Sequence, residues 1–184
     1  MCEQALVEYC SPTMAGMKTG SLFNSRFESR EDLYGEITRI NLRLRGKGIV
    51  MLPLRLHEGR ALVYVYRPQQ LSADLSQAEL QTLLQSYGYD TANFNACICK
   101  LIERLRTCEE FPHEIGAFLG YPAADVIGFI EHRARDEKYT GYWKVYSDVE
   151  SSRKLFDKYS KCTRIYREQY AKGATIEKLS VGTV

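Results

Sequence analysis

The sequence has no apolar run approaching the roughly 20 residues that a membrane-spanning helix needs, which argues against a membrane-spanning protein. It also lacks any excess of charge. Its 25 basic and 23 acidic residues leave a formal charge of +2, so bulk attraction to nucleic acid or to an anionic membrane is not expected. Histidine is scarce, with three residues, and tryptophan occurs once. The opening residues lack the basic start and apolar stretch of a signal peptide, since Glu3, Gln4 and Glu8 interrupt them. A cytoplasmic location is the expectation. With it, Cys2, Cys10, Cys97, Cys99, Cys108 and Cys162 read as reduced thiols, not as a disulfide framework.

What is present is ordinary in bulk and specific in places. Hydrophobic content of 45% and charged content of 26% suit one globular domain over residues 1–184, long enough to bury a core unaided. Thirteen tyrosines are many for this length and fit half-buried surfaces with one wet end. A short helix is predicted over residues 3–9, followed by a turn-rich ordered loop over 10–24. Ser29 and Asp32 resemble a capping box, and Leu33, Ile37, Ile40 and Leu44 recur at helical spacing until Gly46 and Gly48. Residues 49–56 and 60–66 read as two strands of an antiparallel hairpin around His57-Glu58-Gly59, with Pro53 implying an edge strand or a bulge. Helices are predicted over 76–86 and 91–107, a strand over 142–146, a long helix ended by Gly173, and a last strand over 176–181. The fold class is α+β: a small antiparallel sheet of three to four strands covered by helices.

The densest information lies in FPHEIGAFLGYPAADVIGFIEH, residues 111–132. Pro112 opens one short helix, Gly120 closes it and Pro122 opens the next, which places His113 and Glu114 in a first helical turn. The segment has the skeleton of a helix-turn-helix, with Gly116, Gly120, Val126 and Phe129 at the small, turn and core positions. Its second helix would present Pro122, Ala123, Ala124, Ile127, Gly128 and Glu131, none a good base reader. DNA binding is therefore disfavoured, and a helical hairpin packed on the rest of the domain is the expectation.

Cys10 stands where a helix gives way to the Ser-Pro-Thr segment, near Thr13 and Lys18. A thiolate favoured by that lysine, with His113 as base and Glu114 or a tyrosine as orienter, makes an enzyme reading. The bland alternative, a small buried hydrophobe and a helix-capping histidine, carries more weight, because free cysteine is among the most buried residue types. Hydroxyls, backbone donors and Lys18 within residues 11–21 suit a phosphate or carboxylate, although the first glycine of the P-loop spacing is missing. No metal is expected. Cys97, Cys99, Cys108 and His113 lack knuckle spacing, and the first two, two apart in a helical pattern, point to different sides. In GYWKVY, residues 141–146, alternation sets Trp143 and Val145 on one face and Tyr142, Lys144 and Tyr146 on the other, so that Lys144 among aromatics suits an anionic or planar ligand.

Three segments together resemble a family of uncharacterised bacterial proteins, a domain of unknown function: CSPTMAGMKTGSLF at 10–23, FPHEIGAFLGYPAADVIGFI at 111–130 and GYWKVY at 141–146. YVYR at 64–67 and the Lys161-Cys162 pair are similar too. The resemblance spans nearly the whole chain and implies one full-length domain, with no activity, substrate or cofactor to carry over. The reading that follows is a cytoplasmic protein binding a small anionic ligand or a protein partner, with no cofactor, nucleic acid or membrane. The ligand-binding candidates are Thr13, Lys18, Tyr121 and Lys144. The alternative is an enzyme with Cys10 as nucleophile, His113 as base and Glu114 beside it.

Overall fold

The computed structural model describes residues 2–182, and at Cys2 the backbone alone. The chain divides into two compact units, one reaching to Gln70 and resuming at Tyr159, the other running from Leu71 to Lys158.

The first unit is built on a three-stranded antiparallel sheet of order β1-β3-β2, from β1 (Gly20–Arg26), β2 (Val50–His57) and β3 (Arg60–Tyr66). The hairpin forms as its pattern predicts. Glu58 and Gly59 both adopt left-handed backbone (φ 46° and 69°), the two-residue turn whose twist matches that of paired strands. Pro53 lies on the edge strand β2, and the register slips between it and Arg55. Ala61, Val63 and Val65 alternate along β3 and join Phe23 and Met51 in a buried cluster. Helix α1 (Cys2–Tyr9) gives this cluster Leu6 and Val7. Helix α3 (Arg30–Leu44) gives it Leu33, Ile37, Ile40 and Leu44. Ser29 caps α3 by accepting the Asp32 amide.

Some elements depart from expectation. Strand β1 occupies part of the segment expected as loop. Its inward positions are Ser21, Phe23 and Ser25, all buried, so two small hydroxyl residues mask the apolar alternation. Ser21 is satisfied there by Thr13, whose hydroxyl lies 2.9 Å away. At the other end, residues 176–181 do not make a strand. They open with the short helix α10 (Ile176–Leu179), because Ile176 and Leu179 both enter the core. Three residues apart, they share a face only in a helix, whereas a strand would send them to opposite sides.

Ser11–Met14 is one helical turn, α2, fully buried. A buried arginine holds it. Arg67 donates from Nε to the Thr13 carbonyl (2.6 Å), from Nη2 to those of Met14 (2.7 Å) and Val181 (2.8 Å), and from Nη1 to that of Lys47 (3.2 Å).

The second unit is mostly helical, with α5 (Ala78–Ser86), α6 (Phe94–Thr107), α7 (Ile115–Phe118) and α8 (Ala123–Glu131); α4 (Pro68–Leu75) leads into it. A two-stranded ribbon, β4 (Tyr139–Thr140) and β5 (Lys144–Val145), follows. The strand expected over 142–146 is thus short and belongs to a separate ribbon. The long helix α9 (Val149–Ala171) contributes residues to both units. Antiparallel sheets with segregated helices make the fold α+β.

Candidate functional site

The segment at 111–132 makes the two short helices its punctuation predicts, α7 and α8, separated by Gly120 in left-handed backbone and Pro122, but α7 begins only at Ile115, so His113 and Glu114 precede it and do not lie in its first turn. Ala123 and Gly128, expected on an outward face, are buried, whereas Pro122, Ala124 and Glu131 are exposed, and the hairpin packs into its own unit. At Gly128 a Cβ would lie 2.7 Å from Cγ of Tyr146, and at Gly141 it would overlap the ring of Phe156. Both glycines are therefore required by close packing, Gly141 against α9 and Gly128 between α8 and the ribbon, not by a turn.

Asp125, in the first turn of α8 and 2% exposed, joins the two. Its carboxylate accepts Trp143 Nε1 at 2.7 Å and the amides of Tyr146 and Ser147 at 2.8 Å each. Three donors satisfy a buried anion that would otherwise be costly. Trp143, so pinned, stacks on Tyr121 (centroids 4.7 Å apart, 27° between planes) and meets Phe156 edge-on at 4.5 Å. Burial pushes the Tyr121 hydroxyl up to about 12, so it stays protonated near neutrality.

These contacts enclose a cavity of about 380 Å³ walled by Phe111, His113, Tyr121, Phe129, Trp143 and Lys144, with Asp125 in its lining. His113 stands edge-on to Phe129 at 5.0 Å. Lys144 is committed elsewhere: its Nζ donates to the Ala134 carbonyl at 2.7 Å and pairs with Glu137 at 2.8 Å. That hydrogen bond is the main reason why the Glu137 carboxyl is held below its ordinary range. A second, larger cavity of about 950 Å³ shares Phe111 and His113 with the first and is lined also by Arg104, Glu114 and Arg133.

Of the seven residues singled out in the sequence, His113, Tyr121 and Lys144 line one cavity. Glu114 is 1% exposed and accepts both Arg104 Nε and the Tyr89 hydroxyl (3.0 Å), so it neither caps α7 nor has a bond to His113. Cys10, Thr13 and Lys18 belong to the first unit, His113 and Glu114 to the second. Cys10 is fully buried, and burial pushes its thiol up to about 12 despite the opposing effects of Lys18 and Ser21. That is the inert environment, not the activated one. Lys18 is buried too, its Nζ donating to the Gly20 carbonyl, and desolvation lowers its pKa to about 7. The backbone donors expected to serve an anion are spent internally. The amides of Met14, Ala15 and Gly16 bond to Cys10, Ser11 and Thr13, and those of Met17 and Lys18 both bond to Pro12. Cys97 and Cys99 lie on different sides of α6, one buried and one exposed. Among the described residues, no group of three or more His, Cys, Asp or Glu side chains is placed to hold a metal ion.

Sequence reasoning missed Asp125, Arg104, Phe111 and Phe129. For Asp125 a signal existed: a carboxylate set within the apolar run of α8, unlike Glu131 at its end.

The sequence profile described as "Protein of unknown function (DUF3793)" matches residues 6–180, spanning both units. The chain belongs to the DUF3793 family. No curated protein and no solved structure matches it. For this DUF3793 chain, the chemistry of the cavity itself carries the functional reading.

Proposed function

We propose that the chain is a small-molecule-binding protein whose site is the aromatic cavity of the second unit, and that its ligand is a flat, largely apolar molecule. The observation that carries this is the cavity's construction. Its volume of about 380 Å³ falls within the range of about 300–1,000 Å³ typical of ligand sites. Four aromatic residues and His113 wall it, and the buried Asp125 carboxylate fixes Trp143 in place. Rings held rigid in this way lose little freedom when a planar molecule stacks on them. Catalysis through Cys10 has less support, since that thiol is buried and its proton is held tightly. Cytoplasmic residence belongs to the same proposal and requires that Cys10, Cys97, Cys99, Cys108 and Cys162 stay reduced, which their placement as free thiols allows.

Trp143 is the single tryptophan, so its emission reports on this cavity alone. Titration with the neutral aromatic 1-naphthaleneacetamide should change that emission saturably at one-to-one stoichiometry. Phe111→Ala, at a wall residue 40% exposed, should weaken the response while leaving the melting temperature within a few degrees. A response that never saturates, or that Phe111→Ala leaves unchanged, refutes the proposal.

A further inference from the structure

The larger cavity that shares Phe111 and His113 with the aromatic one differs from it in chemistry. Its wall carries Arg104, Arg133 and His113. Arg104 uses only Nε in its bond to Glu114 and lies 4.8 Å over the Tyr87 ring, so its terminal nitrogens have no acceptor among the described residues. The Glu114 pair and the Tyr87 ring hold that guanidinium still, 20% exposed. Arg133 follows α8 in left-handed backbone (φ 50°), as do Ala134 (58°) and Asp136 (60°). Such a conformation is costly for residues other than glycine. The turn is held by hydrogen bonds from the Arg133 amide to the Ile130 carbonyl and from the Ala134 amide to the Phe129 carbonyl. Lys144, from the aromatic cavity's wall, adds its bond to the Ala134 carbonyl. Arg133 and His113 are both exposed, and the Arg133 guanidinium and both His113 ring nitrogens have no hydrogen-bond partner among the described residues. Two acids share this lining, Glu114, which is committed to Arg104 and Tyr89, and the exposed Glu110. What remains unmatched is a set of donors and, against them, the one exposed carboxylate of Glu110.

Donors of this kind call for an acceptor-rich group, and a planar anion matches the guanidinium fork best. Resting on the aromatic-cavity reading, we infer that the ligand is bipartite: a flat apolar body in the aromatic cavity and a carboxylate-like anion set against Arg133, Arg104 and His113, with Phe111 and His113 at the junction. The lysines singled out from the sequence, Lys18 and Lys144, take no part in holding this anion, each being bound to carbonyl oxygen already.

The test uses three probes with one ring system: 1-naphthaleneacetate, its neutral amide, and 2-(1-naphthyl)ethylamine, each titrated against Trp143 emission in the full chain. The acetate should bind roughly tenfold more tightly than the amide, the discrimination expected of one charge-assisted hydrogen bond, and the amine more weakly than either. Arg133→Asn, chosen because asparagine tolerates left-handed backbone, should remove most of the acetate's advantage and leave amide binding unchanged. Unchanged amide binding also shows that the variant is folded. Equal affinities for acetate and amide, or an acetate preference that survives Arg133→Asn, overturn the bipartite ligand while the aromatic-cavity reading stands. Failure of all three probes to bind overturns both.

Discussion

Lys18 and Cys10 form a buried pair whose protonation can be read from the pH dependence of stability. Desolvation lowers the folded-state pKa of Lys18 from 10.5 to about 7 and raises that of Cys10 from 9.0 to about 12. The depressed lysine contributes stability that is complete above pH 10.5 and lost as pH falls through 7, because over that interval the unfolded chain holds a proton that the folded chain does not. The elevated thiol contributes stability that is complete below pH 9 and lost as pH rises through 12. From pH 7 to 9 only the lysine acts, so stability rises. From pH 9 to 10.5 the two nearly cancel, and above 10.5 stability falls. With one proton taken up on unfolding, the slope approaches ~1.4 kcal/mol per pH unit, and integration from pH 7 to 9 gives about 2 kcal/mol. Other groups titrate in this window, so the measurement is a difference. Unfolding free energies from urea titration of the native protein and of Lys18→Met, taken at half-unit steps from pH 7 to 9, should diverge by that amount. The substitution shifts the whole curve by its own packing effect, and only the change of slope bears on the argument. Parallel curves would show that Lys18 keeps its proton in the fold, and the burial argument would fail.

Further outcomes follow from the same packing. Iodoacetamide at pH 8 should label exposed Cys99 well before buried Cys10, as judged by peptide mass spectrometry on folded protein; early Cys10 labelling would revive a reactive-thiol reading. Arg67→Met should cost about 4 kcal/mol in urea unfolding, because four carbonyls lose a charged donor, and Arg67→Lys should recover only part of that; a loss under 1 kcal/mol would contradict the role given to Arg67. Gly141→Ala should destabilise by about 1–3 kcal/mol and alter the near-ultraviolet signal of Trp143, since the added methyl meets Phe156. Gly35→Ala, within α3 and with open space around it, should instead stabilise by about 0.5–1 kcal/mol; both are read from thermal melts, and like signs would refute the contrast.

Local chemistry explains which features were legible before any coordinates. The 50–66 hairpin carries both its alternation and its turn residues in the sequence, and Ser29 with Leu33, Ile37, Ile40 and Leu44 writes out a capped amphipathic helix. In β1 two of the three inward residues are serines, and Ser21 is satisfied by Thr13, eight residues away, so no window of apolar periodicity finds the strand. The same limit governs the site. His113, Tyr121 and Lys144 stood out as polar or aromatic residues beside strong turn signals, and those turns do bring them to one cavity. Lys18 stood out for the same reason, in a glycine- and threonine-rich stretch that reads as solvent-exposed, yet tertiary packing buries it and drives it toward the neutral amine. Turn chemistry thus locates residues but does not give their dielectric surroundings. Those come from residues distant in sequence, as Asp125 shows by placing Trp143 through a bond 18 positions away. The more useful sequence signal in this chain was therefore the carboxylate at an apolar helix position, because a buried charge must be satisfied, and the donors that satisfy Asp125 are those that fix the wall of the aromatic cavity.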